Sequence, residues 1–247
     1  MTIFDYRLET QEDGDRRVLQ YLEKNSFYNC IDIGGVHRPW AAKHVSAYVD
    51  LVTFEAWQKR YPDMYDEYPE VWRSKLFLGD CEDIDTWRQV QYDVAKNGKY
   101  DFVICTQAFE HFNRPTEMFK RLPGIANQGY IAVPNKYFEL GRGREVGMDD
   151  LGNYHLKGHY RGALPHRWIF SIRDETVWCF PKLNVLDFID LGAFEKKLFH
   201  FQPLDAGTLG FFWKYNIPRH VIDDTDIGFP NPKSAIDMYR RELKKGL

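Results

Sequence analysis

Acids recur at the ends of short apolar runs in this chain. Asp32 lies in "CIDIGGVHRPW", just ahead of Gly34 and Gly35. Asp50 ends "SAYVD", and Asp80 closes "KLFLGD" ahead of Cys81. A fourth run, "YDFVICTQ", ends in Cys105 and Thr106 and leads into Phe109-Glu110-His111. A glycine after such a run lets the backbone approach a ligand closely, and amides of the next helix can reach it. An acid roughly 20 residues beyond a glycine turn often accepts from ribose hydroxyls. Asp50 has about that spacing from Asp32. One strand-end acid is usually a solvated turn residue; three in succession around one cleft imply a site.

Histidine titrates in the range useful to a general base acting on a hydroxyl. His111 follows the fourth run, and His166 lies in "LPHRWIF". Both are candidate bases, and Glu110 is a candidate to orient a histidine or to contact substrate. Plainer roles exist for all three. His111 could cap a helix, His166 could pack beside Trp168, and Glu110 could complement a helix dipole.

The elements that must position these residues alternate. Five short runs near 28–35, 46–52, 74–80, 100–107 and 128–135 are rich in β-branched or aromatic residues and end in polar or turn residues. Between them, Ile84, Trp87, Val90 and Val94 recur at helical spacing. The stretch Ala108–Leu122 also reads as a helix, stopping at Pro123-Gly124. This alternation predicts an α/β fold, a parallel sheet with helices on both faces. Ligands then bind beyond the carboxyl ends of the strands, where strand order reverses.

Ahead of the first run, 10–25 reads as a helix capped by Thr10. Near the end, "NVLDFIDLG" and "TLGFFWKYNI" read as sixth and seventh strands, and "SAIDMYRRELKKG" as a helix capped by its serine. The segment 136–180 reads as an insertion over the cleft. Its first part, to Pro165, is rich in Gly, Arg, His and Tyr without a sustained period, as in a lid or binding loop. Its composition suits a polar or anionic small molecule such as a sugar or a nucleotide-linked sugar. His155, His159 and Asp149-Asp150 invite a metal, but Gly158 weakens the helix that would align the histidines, and no metal site is assigned.

The chain has 247 residues, 44% hydrophobic and 28% charged, with a net charge of −3. These totals fit one folded domain over 1–247, with an N-terminal helical segment at 1–27. They give no basis for a broad nucleic-acid surface, and no nucleic-acid partner is expected. No run approaches a membrane span or a signal peptide. Cys30, Cys81, Cys105 and Cys179 form no CxxC pair and read as reduced thiols of a cytoplasmic protein.

The segments "GDCEDID", "YDFVICTQAFEHFNRP", "YIAVPN" and "PHRWIFS" together resemble the class I S-adenosylmethionine-dependent methyltransferases, in the small-molecule subgroup. The resemblance covers roughly 28–135, with a looser continuation to about 190. It implies a Rossmann-like, mostly parallel seven-stranded sheet with an antiparallel edge strand and an insertion after strand five. It implies S-adenosylmethionine as cofactor. Asp32 and Gly34 would hold the methionine end, with Gly35 between the family's glycine positions. Asp50 would take the ribose hydroxyls and Asp80 the adenine amino group, with the Cys81 backbone nearby. Carbonyls around Cys105 and Thr106 would face the ammonium. The expected reaction is methyl transfer to a small polar acceptor, most naturally a hydroxyl; N-methylation, or a turnover-free binding module, is the alternative. Val36 and Arg38 stand at two of the family's glycine positions, so a stiffer and bulkier loop is expected. The G-x-G-x-x-G turn that a nicotinamide dinucleotide needs is absent.

Overall fold

The computed structural model describes residues 3–141, 146–148, 154–156, 161–163, 165–191, 207–222 and 232–245. Its centre is a seven-stranded sheet in the order β1-β11-β6-β5-β2-β3-β4. These are β1 (Ile3–Glu9), β11 (Thr208–Lys214), β6 (Gln128–Pro134), β5 (Phe102–Thr106), β2 (Cys30–Ile33), β3 (Val45–Asp50) and β4 (Lys75–Leu78). From β6 to β4 every pairing is parallel. β11 runs antiparallel to both β6 and β1, so the antiparallel strand lies one place in from the edge.

Residue alternation explains the two-sided core. Ile31 and Ile33, Val103 and Cys105, and Ile131 and Val133 pack on one face. They meet Trp87 and Val90 of α4 (Ile84–Asn97) and Met118, Phe119 and Leu122 of α5 (Pro115–Ile125). Cys30, Phe102, Ile104, Tyr130 and Ala132 face the other way, against Val18 and Leu22 of α1 (Gln11–Asn25). Central strands buried on both faces are largely apolar, as β5 is up to its terminal Thr106. The edge strand β4 instead exposes Lys75, a charge that discourages further strand pairing.

The N-terminal helix forms as expected, with Thr10 Oγ1 accepting from Asp13 N at 3.0 Å. Four details depart from the sequence expectation. Residues 3–9, expected to belong to a helical segment, form β1 and take the outermost sheet position. "NVLDFIDLG" is not a strand: Asn184–Phe188 is a 3-10 turn. The stretch 108–122 is split, with a 3-10 turn at Phe109–His111 and α5 beginning only at Pro115. Proline disfavours helical backbone in the residue before it, and Arg114 has φ −132° and ψ 70°. α5 then runs through Pro123 to Ile125, where burial of Leu122 and Ile125 holds its last turn. The C-terminal helix spans Pro232–Glu242, so Ser234 lies inside it rather than capping it.

Several stretches of the expected irregular insertion form regular elements among the described residues. A short helix, α6 (Lys136–Leu140), follows β6. β7 (Val146–Met148) pairs with β8 (Tyr154–Leu156), so His155 lies on a strand. β9 (Trp168–Arg173) and β10 (Thr176–Pro181) form a hairpin, extended by β12 (Arg219–Val221) into a second sheet. His159 and Asp149-Asp150 lie outside the described residues. Cys30, Cys105 and Cys179 are buried, Cys81 is half-buried, and all four are free thiols. No described helix is long and apolar enough to cross a membrane.

Candidate active site

Strand order reverses where β2 has β3 on one side and β5 on the other. A cavity of about 300 Å³ opens there, beyond the carboxyl ends of β2, β3, β4 and β5. The backbone turns sharply at three of these ends. Gly34 has φ +80°, Gly79 has φ +147°, and Gln107 holds a left-handed φ of 53° without being glycine. Such a conformation in a non-glycine residue persists only where the surroundings enforce it. The Gln107 amide donates to Ala132 O at 2.8 Å, and its side chain donates to Thr208 Oγ1 at 3.3 Å.

Gly34, Asp50, Asp80 and Cys81 line the cavity, as does His111. Asp50 is fixed by its own surroundings: Oδ1 accepts from Val52 N at 3.0 Å and Oδ2 from Val36 N at 3.3 Å. Burial raises its pKa, and these two amides oppose the rise. Asp80 is exposed, and its Oδ1 accepts from Glu82 N at 2.8 Å. Burial pushes the Cys81 thiol up to about 12, so Cys81 contributes as a neutral group.

Asp32, Gly35, Cys105 and Thr106 lie behind the cavity wall rather than on it. Asp32 is 1% exposed, and among the described residues neither carboxylate oxygen has a hydrogen-bond partner. Burial, then the charges of Asp50 and Asp15, hold its pKa far above the usual carboxylate range. Gly35 covers it so closely that a Cβ there would run into the carboxylate. Any influence of Asp32 on a ligand therefore passes through the loop above it.

Glu110, His111 and His166, separate in sequence reasoning, come together. Their ligating atoms all lie within 4.8 Å of one another. The two imidazole rings meet edge to face, centroids 4.8 Å apart. Glu110 is 1% exposed with both oxygens unpartnered among the described residues, and burial, aided by nearby Glu139, pushes its carboxyl up to about 8. Burial and then the His166 charge lower the His111 pKa. His166 Nδ1 hydrogen-bonds Glu139, whose other oxygen takes Lys182 Nζ at 2.8 Å. The 3-10 turn presents Glu110 and His111, and the Glu110 carbonyl accepts from Arg167 N at 2.7 Å, which brings the strand entry carrying His166 alongside.

Sequence reasoning missed several lining residues. His37 reaches the cavity from the glycine loop, with Nδ1 3.0 Å from Gly34 O, and Trp57 reaches it from α2 (Phe54–Arg60). Glu82 straps two loops together. Its carboxylate accepts from Asn113 N at 2.7 Å and from Arg114 N at 2.6 Å. The "GDCEDID" segment held this signal, but no local pattern says which distant amides an acid will find. Glu139 was likewise invisible, because its partners lie in the hairpin segment far along the chain.

No protein-family model matches the chain, and none of the curated proteins matches it. Among solved structures, the N-terminal domain of EvdMO1, crystallised in the presence of SAH and D-fucose, is 14% identical with a TM-score of 0.43, covering 83% of each chain. The methyltransferase domain of the bacterial CtHen1-CN protein is 15% identical with a TM-score of 0.41, covering 82% of this chain and 98% of its own. A sarcosine dimethylglycine methyltransferase, so described only provisionally, from Galdieria sulphuraria is 12% identical with a TM-score of 0.39, covering 82% of this chain and 84% of its own.

Proposed function

We propose that the chain is an S-adenosylmethionine-dependent methyltransferase acting on a hydroxyl of a small polar acceptor, with a sugar or glycan precursor as the acceptor class. The observation that carries the reading is the charge of the cavity. Among the described lining residues Asp50, Asp80 and Glu82 are acidic, and none is lysine or arginine. Such a lining favours a cationic, phosphate-free ligand and opposes the pyrophosphate of a dinucleotide. Apolar walls from Ile33, Val49, Leu51, Trp57 and Phe112 suit a purine ring, with few polar groups to fix its orientation.

In this reading Asp50 accepts from the ribose hydroxyls and Asp80 from the adenine amino group. Gly34 leaves room for the amino-acid end beside His37. When bound, the cofactor supplies an electrophilic methyl group on a sulfonium. The chain's own part is to hold the acceptor hydroxyl in line and take its proton. Proximity and orientation of this kind supply most of what such a reaction needs. His111 lines the cavity, and its lowered pKa keeps the imidazole neutral and able to accept a proton near pH 7. His166 and Glu110 stand behind it.

Calorimetry with S-adenosylhomocysteine tests the reading. Micromolar binding is expected, with an Asp50→Ala loss of about 30-fold or more, the size of a lost charge-assisted hydrogen-bond pair. Asp80→Ala is expected to weaken binding less, since Asp80 is exposed. Absence of binding by a folded wild-type chain, or preferential binding of NAD, would overturn the reading. Binding without turnover on any hydroxyl or amine acceptor would favour a binding module instead.

A further inference from the structure

We infer that Glu110, His111 and His166 form a binding site for a borderline divalent metal ion such as Mn²⁺, Co²⁺ or Zn²⁺, facing the cavity. The inference rests on the proposed methyltransferase reading only for the ion's use, not for its binding. The three donors lie within 4.8 Å of one another. Donors about 2.0–2.2 Å from one ion sit up to roughly 4 Å apart. A turn of the imidazole rings that moves their nitrogens by about 1 Å closes the difference.

Two features distinguish this cluster from a chance meeting of polar groups. Glu110 is 1% exposed, and among the described residues neither of its oxygens has a hydrogen-bond partner. A buried carboxyl group without a partner is costly, and a cation that takes the place of its proton removes that cost. The nearest cationic candidate, His111 Nε2, is 3.9 Å from Glu110 Oε1, too far for a hydrogen bond. The second feature is the tautomer of His166. A carboxylate that already takes the Lys182 ammonium can only accept, so the hydrogen bond between His166 and Glu139 puts the proton on Nδ1. In the uncharged ring that leaves the Nε2 lone pair for an ion, and the ion takes the place of the second proton that the charged ring would carry there. A carboxylate behind a histidine is the usual support of a metal ligand. Glu139 is thus a positioning residue for the site.

Two imidazoles and one carboxylate select a borderline ion over Mg²⁺ or Ca²⁺, which prefer oxygen ligands. Three protein donors leave coordination positions open. The His111 side chain is 46% exposed and also lines the cavity, so these positions face the space available to an acceptor. An ion there would bind the oxygens of an acceptor carrying two adjacent oxygen atoms and lower the pKa of the one to be methylated, so that its proton passes to solvent; with the ion bound, His111 serves as a ligand and no longer as the base.

The test uses full-length, tag-free chain stripped with EDTA. MnCl₂, CoCl₂, ZnCl₂ and MgCl₂ are titrated separately by calorimetry, and the visible spectrum is recorded with CoCl₂. The expected result is one ion per chain at micromolar affinity for at least one of the first three, weak or no Mg²⁺ binding, and cobalt ligand-field bands. E110Q and H166A are expected to lose about 100-fold or more in affinity. E139Q is expected to lose about 10- to 100-fold with little change in melting temperature, and E139D to recover part of that loss. Far-ultraviolet circular dichroism and the melting temperature in EDTA serve as the fold check for each variant, and S-adenosylhomocysteine binding, measured separately, tests the methyltransferase reading. The inference is overturned if wild-type chain binds none of the three ions below about 1 mM. It is equally overturned if E110Q and H166A, folded by that check, bind as wild type does.

Discussion

At the scale of single residues, the loop after β2 shows why two missing glycines need not spoil a binding turn. Val36 is fully buried, its amide donates to Asp50 Oδ2, and its carbonyl accepts from Tyr65 Oη at 2.8 Å. Arg38 Nη1 lies 2.7 Å from Asp15 Oδ2, tying the loop to α1. The loop is stiff, as the sequence implies, but its bulk points into the core, while Gly34 and His37 face the cavity. Space is short at Gly35, where a Cβ would overlap the Asp32 carboxylate. Gly35→Ala should therefore destabilise the fold by about 2 kcal/mol, as overpacking does. Asp32→Ala in the same chain opens the occupied space, and the double variant should recover about 1 kcal/mol relative to the sum of the singles. Urea unfolding of the four proteins measures the coupling. Strict additivity would mean that the strain is relieved by moving the loop instead.

At the scale of elements, the cavity depends on how two loops are fastened. Glu82, in the turn after β4, accepts from the amides of Asn113 and Arg114 ahead of α5. Those amides are free because Pro115 delays the helix. Glu82→Ala should loosen this strap, speed amide exchange at 112–114, and weaken S-adenosylhomocysteine binding about tenfold, the order of one charged hydrogen bond. Unchanged exchange at 112–114 would show that packing alone holds the loop.

The same elements show what the sequence can reveal. β2, β3, β5 and β6 were legible because buried parallel strands are short, apolar and closed by turn residues. β1 was not: "IFDYRLE" mixes Asp5, Arg7 and Glu9 with its apolar residues, and its outer position is decided by pairing with β11, some 200 residues away. "NVLDFIDLG" had strand composition but no partner strand, and its Leu186 and Ile189 pack instead into the cluster under the C-terminal helix. Residues at strand ends were legible for the same topological reason. The walling-off of Asp32 and the meeting of His111 with His166 were not, since both depend on how distant segments pack.

At the scale of the whole molecule, two buried acids in different helices pull stability in opposite directions with pH. Glu242, in the C-terminal helix, reaches across to Arg173 of β9, whose Nη1 donates to it at 2.9 Å. Against the upward push of burial, hydrogen bonds from Arg241, Arg173 and Lys245 hold its pKa at about 2, below the ordinary 4.5. Its folded-state pKa is depressed, so its stabilisation is complete above about 4.5 and is lost as pH falls toward 2. Asp15, in α1, is the opposite case. Burial raises it from 3.8 to about 6 despite the Arg38 charge. Its folded state holds the proton more tightly than the unfolded chain does, so its contribution is complete below 3.8 and declines as pH rises through about 6. Urea midpoints measured from pH 2 to 7 should therefore show an acid limb that Glu242→Gln makes shallower and a decline above about pH 4, shared with Asp32, Asp50 and Glu110, that Asp15→Asn makes shallower between about pH 4 and 6. The two effects should add, because the sites share no partner. A Glu242→Gln profile parallel to wild type below pH 4.5 would mean that the Arg173 contact breaks before the fold does. The C-terminal helix would then detach from β9 as a separate unit while the seven-stranded sheet stayed folded.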